Sequence, residues 1–240
     1  MRDIKKIGVI IPALNEEKAI PKVINDIPDY ADLVIVADND SEDNTAIVAH
    51  SAGAVVLREP VRGYGAACLK GLTAIEDCDI VVFIDGDYSD FPSEMTNLID
   101  PIINDDFDLV IGSRTIGKQY SGALTLQQKI GNTLACKLMH MFWKAEYTDL
   151  GPFRAINSQA LNKLKMSDRN YGWTIEMQIK AMLHNLKTKE IPVSYRHRIG
   201  TSKISGTIKG TLLASIKILL VISRFAIKDC ISLLSSKKLR

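Results

Sequence analysis

The feature that most limits the fold is a series of short runs that are apolar throughout, each followed by a stretch of helical pattern. The runs lie in KIGVIIP, LVIVAD, AVVLRE, DIVVFID, DLVIGSR and, later, KEIPVSY. A strand wetted on one face alternates apolar and polar residues, so a run that does not alternate belongs to a strand covered on both faces. Helical segments fall at 16–27, 43–52, 64–76 and 93–104. That order predicts a doubly wound α/β domain, a mostly parallel sheet with right-handed crossovers and helices on both sides. A chain of 240 residues buries roughly 70% of its unfolded surface, so it needs neither a structural metal nor disulfides. The alternation fails after residue 114, where a loop at 115–123 and longer helices take over. This half is expected to build the site for a second substrate.

In an open parallel sheet, ligands sit at the carboxyl ends of the strands. Here those ends are acidic and polar: Pro12-Ala13-Leu14-Asn15-Glu16-Glu17, then Asp38-Asn39-Asp40-Ser41-Glu42-Asp43, then Asp85-Gly86-Asp87-Tyr88-Ser89-Asp90. Two carboxylates straddling a glycine, directly after VVFI, suit a hard divalent cation that keeps positions open for a diphosphate. Asp38 is placed to accept hydrogen bonds from a base or ribose, while Asp40 and Ser41 have the spacing of helix caps. Gly63-Tyr64-Gly65-Ala66-Ala67 precedes a helix, but Cys68 stands where a third glycine belongs, which excludes a dinucleotide fingerprint. Gly65 at a helix start is read either as close backbone approach to a ligand or as tight helix packing.

Charge is divided along the chain. Residues 187–240 hold 12 Lys/Arg against 2 Asp/Glu, and the preceding residues hold 18 against 26. The basic tail is too apolar for a solvated arm and lacks interleaved aromatics, so nucleic acid is not its partner. Thr207 to Leu234 reads as one apolar helix on which Lys209, Lys217, Arg224 and Lys228 share a stripe. Its uncharged runs are far below the roughly 20 residues needed to span a bilayer. A helix lying on a membrane surface is expected, the alternative being packing against the catalytic domain or a partner subunit in a homo-oligomer or membrane complex. The four cysteines show no C-x-x-C pair and no histidine at ligand spacing, which fits a reducing compartment. The first apolar run has no cleavage-site pattern.

The ordered motifs PALNEE, ADNDSEDNT, RGYGAA, DGDYSDFP, GSR, DLGPFRAI and R-x-G-x-S-K resemble those of family 2 glycosyltransferases with the GT-A fold. The resemblance covers about residues 5 to 205 and is strongest to dolichyl- or polyprenyl-phosphate sugar transferases. Without a Q-x-x-R-W motif, a single sugar transfer is implied. The resemblance implies a GT-A catalytic domain over 1–205, with a nucleotide-sugar half at 1–114 and an acceptor half at 115–205, followed by the helix of 206–240. It places Pro12, Leu14, Asn15, Glu16 and Asp38 around a donor nucleotide, with Gly65 near it. Asp85, Gly86 and Asp87 fall at the diphosphate and at Mg²⁺ or Mn²⁺, and Ser89 where some relatives supply another side chain of the metal's shell. Arg114, Arg154 and Arg198, with Ser202 and Lys203, look like cationic and polar partners of donor and acceptor phosphates. The base is open between Asp149 and Glu176. Asp40 stands where relatives more usually carry glycine.

UDP-glucose is favoured as donor, with GDP-mannose beside it, and the expected acceptor is a polyprenyl or dolichyl phosphate at the cytoplasmic membrane face. The other readings are transfer to a hydroxyl, which makes Asp149 or Glu176 essential, a sugar nucleotidyltransferase lacking its glycine-rich loop, and a non-enzymatic scaffold.

Overall fold

The computed structural model describes residues 5–200 and 208–237, with side chains in the last helix described over 216–231. Seven strands form one sheet: β1 (Ile7–Ala13), β2 (Leu33–Asp38), β3 (Val55–Arg58), β4 (Ile80–Phe83), β5 (Leu109–Ser113), β6 (Arg154–Asn157) and β7 (Thr188–Pro192). The helices are α1 (Ile20–Asp26), α2 (Thr45–Ser51), α3 (Tyr64–Leu72), α4 (Met95–Asn104), α5 (Leu126–Trp143), α6 (Ser158–Leu164), α7 (Trp173–Leu183) and α8 (Ile208–Lys237). The six apolar runs all became strands, and all seven residues of β1 are buried, as double coverage requires.

The strand order is β3-β2-β1-β4-β6-β5-β7. All neighbours are parallel except β6, which runs antiparallel to both β4 and β5. The sheet is thus mostly parallel, as expected, with β6 the one reversed strand among those described. The sequence RAIN offers only four residues and opens on an arginine, so it does not read as a buried strand. Because β6 comes from beyond residue 150 and separates β4 from β5, the 1–114 half is not a self-contained sheet.

Alternate residues of each strand feed two cores. Val9, Ile11, Val36, Val82 and Ile84 pack on one side with Val23, Leu98 and Ile99 of α1 and α4. Ile10, Ile35, Phe83, Ile111 and Ile156 face the other way, toward Cys68, Leu161, Trp173 and Met177 of α3, α6 and α7. A third cluster joins α5, α7 and α8 through Met139, Ile175, Ile179, Val221 and Ile222. Helix α8 is therefore seated on the catalytic body, not detached from it. Lys217, expected on a lipid-facing stripe, pairs with Asp168 at 2.9 Å. The side chain of Lys209 lies outside the described residues.

Candidate active site

The register sets the site. Ala13 pairs with Asp38 and Ile10 with Phe83, so the carboxyl ends of β1, β2 and β4 finish along one edge. Beyond that edge lies a cleft of about 810 Å³, within the range of small-molecule sites. Pro12, Leu14, Glu16, Asp85, Gly86, Asp87, Arg114 and Arg198 all line it, which brings together most of the residues expected from sequence. Among the described residues its charged lining is Glu16, Asp85, Asp87, Arg62, Arg114, Lys129 and Arg198.

The loops after β1 and β2 are stitched to each other. Asn15, at φ 53, donates its backbone N–H to Ser41 Oγ at 2.9 Å and accepts the Glu42 N–H at 2.8 Å. Its side chain thus fixes the loop and is not part of the cleft lining. Asp40 adopts φ 62, a left-handed conformation that glycine takes without strain, and is held there by Arg58 at 2.9 Å. The loop keeps its glycine-like path without the glycine. Asp38 stands behind the lining, with one buried carboxylate oxygen, Oδ1, that has no hydrogen-bond partner.

The Asp85-Gly86-Asp87 turn carries the acidic end of the cleft. Asp85 Oδ1 is buried with no hydrogen-bond partner, and burial, then the neighbouring Asp87, raises its carboxyl to about 6. Asp87 Oδ1 accepts hydrogen bonds from the N–H and hydroxyl of Ser89, while Oδ2 forms a close ion pair with Arg198. Ser89 is buried and orients Asp87; it is not in the cleft lining. An orphaned oxygen and a carboxylate already facing a cation are a donor set that fits a hard divalent ion. Among the described residues no cluster of three or more His, Cys, Asp or Glu could hold a metal, so the remaining ligands would come from a bound diphosphate and water. Sequence reasoning overlooked Asp90, a buried carboxyl with both oxygens unpartnered, which burial, followed by Asp85, pushes well above the usual range. It also overlooked Arg62, Tyr171 and the α5 residues Gln127, Gln128 and Asn132 along the cleft.

Arg114 is fixed by Asp149. Its Nε and Nη2 each lie 2.8 Å from a different Asp149 oxygen, and its backbone N–H donates to the same carboxylate. Burial opposes the guanidinium charge, but Asp149 more than offsets this and holds the group well above its ordinary pKa.

Four expectations are corrected by this geometry. Asp149 is buried under the Arg114 fork and is not in the cleft lining, so it positions an arginine and is not placed as a base. Glu176 is also buried, accepting from the backbone N–H groups of Ser167 and Asp168 and pairing with Lys180 at 2.7 Å. It anchors the loop before α7. Arg154 has no exposed surface: four of its N–H donations go to the carbonyls of Leu150, Gly151 and Thr174, and its burial leaves no face open to a phosphate. Gly65 gives its N–H to Asn170 O, and a Cβ there would lie 2.0 Å from Asp168 O. The glycine pair admits a protein loop, not a ligand. Ser202 and Lys203 lie outside the described residues.

Residues 8–165 match the model of Glycosyl transferase family 2, well over half of the chain. The chain belongs to this family. Over 221 residues this family 2 glycosyltransferase is 33% identical to an uncharacterised glycosyltransferase of Mycobacterium tuberculosis, spanning 90% of this chain and 98% of that one. It is 29% identical over 203 residues to the dolichyl-phosphate hexose transferase of Haloferax volcanii, covering 82% and 86% of the two chains. The structure of glucosyl-3-phosphoglycerate synthase from Mycobacterium tuberculosis with Mn²⁺, UDP and glucosyl-3-phosphoglycerate matches with a TM-score of 0.74 at 24% identity, covering 92% of this chain and 80% of that one. That likeness confirms the GT-A-like fold. The chain is a nucleotide-sugar glycosyltransferase of family 2.

Proposed function

We propose that the enzyme transfers one hexose, with inversion, from a nucleoside diphosphate sugar, UDP-glucose before GDP-mannose, to a polyprenyl or dolichyl phosphate at a membrane surface. The observation that carries this reading is the charge of the cleft. Among the described residues its acidic lining is Glu16, Asp85 and Asp87, while Arg62, Arg114, Lys129 and Arg198 supply cations, and both expected bases are engaged elsewhere. A hydroxyl acceptor needs a base; a phosphate monoester, whose second pKa is about 6, brings an oxygen already ionised at neutral pH. Similarity to a dolichyl-phosphate hexose transferase supports the same acceptor class.

In this reading Pro12, Leu14 and Glu16 border the donor, with the unpartnered Asp38 oxygen behind them for the base. Asp85 and Asp87 are the residues that would hold Mg²⁺ or Mn²⁺. Held there, such an ion would supply positive charge to offset that of the departing nucleoside diphosphate. Arg114, Arg198 and Lys129 hold the acceptor phosphate, and one of its oxygens bonds to the anomeric carbon as the bond to the diphosphate oxygen breaks on the opposite face.

The outer surface supports the lipid acceptor. On α5, Leu126 is 70% and Ile130 60% exposed, with Met141 and Phe142 also exposed; on α8, Leu220 is 60% and Ile227 61% exposed. No acidic residue occurs in α5, and Asp229 of α8 accepts a hydrogen bond from Trp143 Nε1 at 3.2 Å. With exposed Lys137, Arg224 and Lys228, this surface suits anionic headgroups. Among the described residues no helix is long and apolar enough to cross a membrane. Attachment is therefore proposed as peripheral, on the cytoplasmic face.

The test is donor turnover by purified protein with Mg²⁺ or Mn²⁺, a panel of UDP- and GDP-sugars and a short polyprenyl phosphate. Nucleoside diphosphate release that depends on the lipid phosphate, with sugar-lipid detected by mass, is expected. Transfer to a hydroxyl-bearing lipid or glycan, with none to the phosphate, would sink the reading.

A further inference from the structure

The segment after β7 does more than deliver Arg198. It lies against the acidic turn and engages four successive carbonyls of it. Ile199 N–H donates to Asp87 O at 2.9 Å and Arg196 N–H to Ser89 O at 2.9 Å. The Arg196 side chain takes the other two, Nε to Tyr88 O at 2.7 Å and Nη2 to Asp90 O at 3.3 Å. Three of the four acceptors thus converge on one residue.

The guanidinium is also clamped flat. Its carbon lies 3.4 Å from the Tyr88 ring centroid and 4.1 Å from that of Phe91. Nη2 is 3.8 Å from Asp26 of α1, and the same carboxylate oxygen accepts the Tyr88 hydroxyl at 2.6 Å. Tyr88 needs such restraint, since it sits at φ 64 immediately after Asp87, a left-handed conformation that a bulky residue keeps only when its surroundings hold it there. A lysine can supply the charge, but it cannot stack as a plane or fork between two carbonyls.

We propose that Arg196 is a positioning residue that fixes the Asp87 turn against the segment bearing Arg198, and so sets the spacing between the carboxylate at the donor diphosphate and the arginine that holds the acceptor phosphate. It does not line the cleft and touches no reactant. The inference rests on the proposed donor site at Asp85 and Asp87. Loss of the clamp is expected to let the turn relax around Tyr88, weakening the metal-dependent part of nucleotide binding and leaving contacts near β1 and β2 intact.

The experiment is calorimetric titration of UDP and GDP into wild type, R196M and R196K, with and without Mn²⁺, alongside thermal unfolding. With Mn²⁺, affinity for the nucleotide that wild type binds should fall about 10–100-fold in R196M, the usual effect of losing a partner that orients a ligating group. R196K should retain part of that affinity. Without divalent ion, all three proteins should bind within about twofold of one another, because those contacts lie away from the clamp. Where R196M does not fold, R196K carries the test. Equal losses with and without Mn²⁺ would make Arg196 merely structural and overturn the proposal, as would wild-type affinity in a folded R196M. If wild type itself shows no Mn²⁺-dependent binding of either nucleotide, the donor-site reading falls first and the clamp with it.

Discussion

Gly65 and Glu176 were each expected near the reactants, and both instead support the loop before α7. A glycine before a helix is an obvious phosphate cradle, yet Gly65 makes room for Asp168 O. Gly65→Ala should therefore lower stability by about 1–3 kcal/mol, the usual penalty of overpacking, in denaturant unfolding. Nucleotide affinity lost at unchanged stability would restore the ligand-contact reading. Glu176 holds the same loop from beneath; burial raises its pKa, but Lys180, Ser167 and the Asp168 N–H outweigh burial and bring it below 4.5. A carboxyl depressed in the folded state adds stability that is present above its unfolded pKa and is lost as pH falls through the folded one. Stability of the wild type should thus fall below about pH 4.5, and Glu176→Gln should flatten that decline while lowering stability at pH 7. An unchanged acid limb would refute the assignment. The acidic ends of β1, β2 and β4 were legible because they follow unmistakable strands. The destiny of Arg154, Asp149 and Glu176 was not, since sequence shows a charge but not whether backbone carbonyls or a partner side chain have already claimed it.

Among the elements, the doubly covered strands announced themselves by unbroken apolar runs, and α3 and α4 by their flanking turns. β6 escaped because four residues beginning with arginine carry no strand pattern; its place is decided by the gap between β4 and β5. α8 was legible as a helix but not as a wall of the site, although Ile218 lines the cleft and Val221 and Ile222 are buried. Its stripe splits by role: Lys217 turns to Asp168, whereas Arg224 and Lys228 face outward. Arg224→Glu combined with Lys228→Glu should release the protein from anionic vesicles in sedimentation without shifting its Tm by more than about 2 °C, because neither side chain is packed. Retention on such vesicles would rule out this face as the membrane contact. Lys217→Glu is expected to behave differently, placing like charge beside Asp168 and loosening the loop that carries Asn170 and Tyr171 into the cleft.

At the scale of the whole molecule, donor and acceptor halves are interleaved. Phe83 of β4 and Ile111 of β5 both pair with Arg154 of β6, so within the sheet the two ends of the first half are joined through a strand supplied by the second. A chain divided within 115–123 should give two fragments that each leave open sheet edges and fail to fold alone. Mixing them should restore the circular dichroism of the intact protein and its nucleotide binding. A folded, nucleotide-binding first fragment would show that β6 is dispensable to the donor site. The interleaving also bears on chemical economy inside a cell. An activated sugar is vulnerable to water wherever metal and diphosphate contacts exist without an acceptor pocket beside them. Here a chain caught halfway through synthesis has Asp85 and Asp87 but no strand to lock their sheet, and so has no finished place in which to waste a sugar nucleotide.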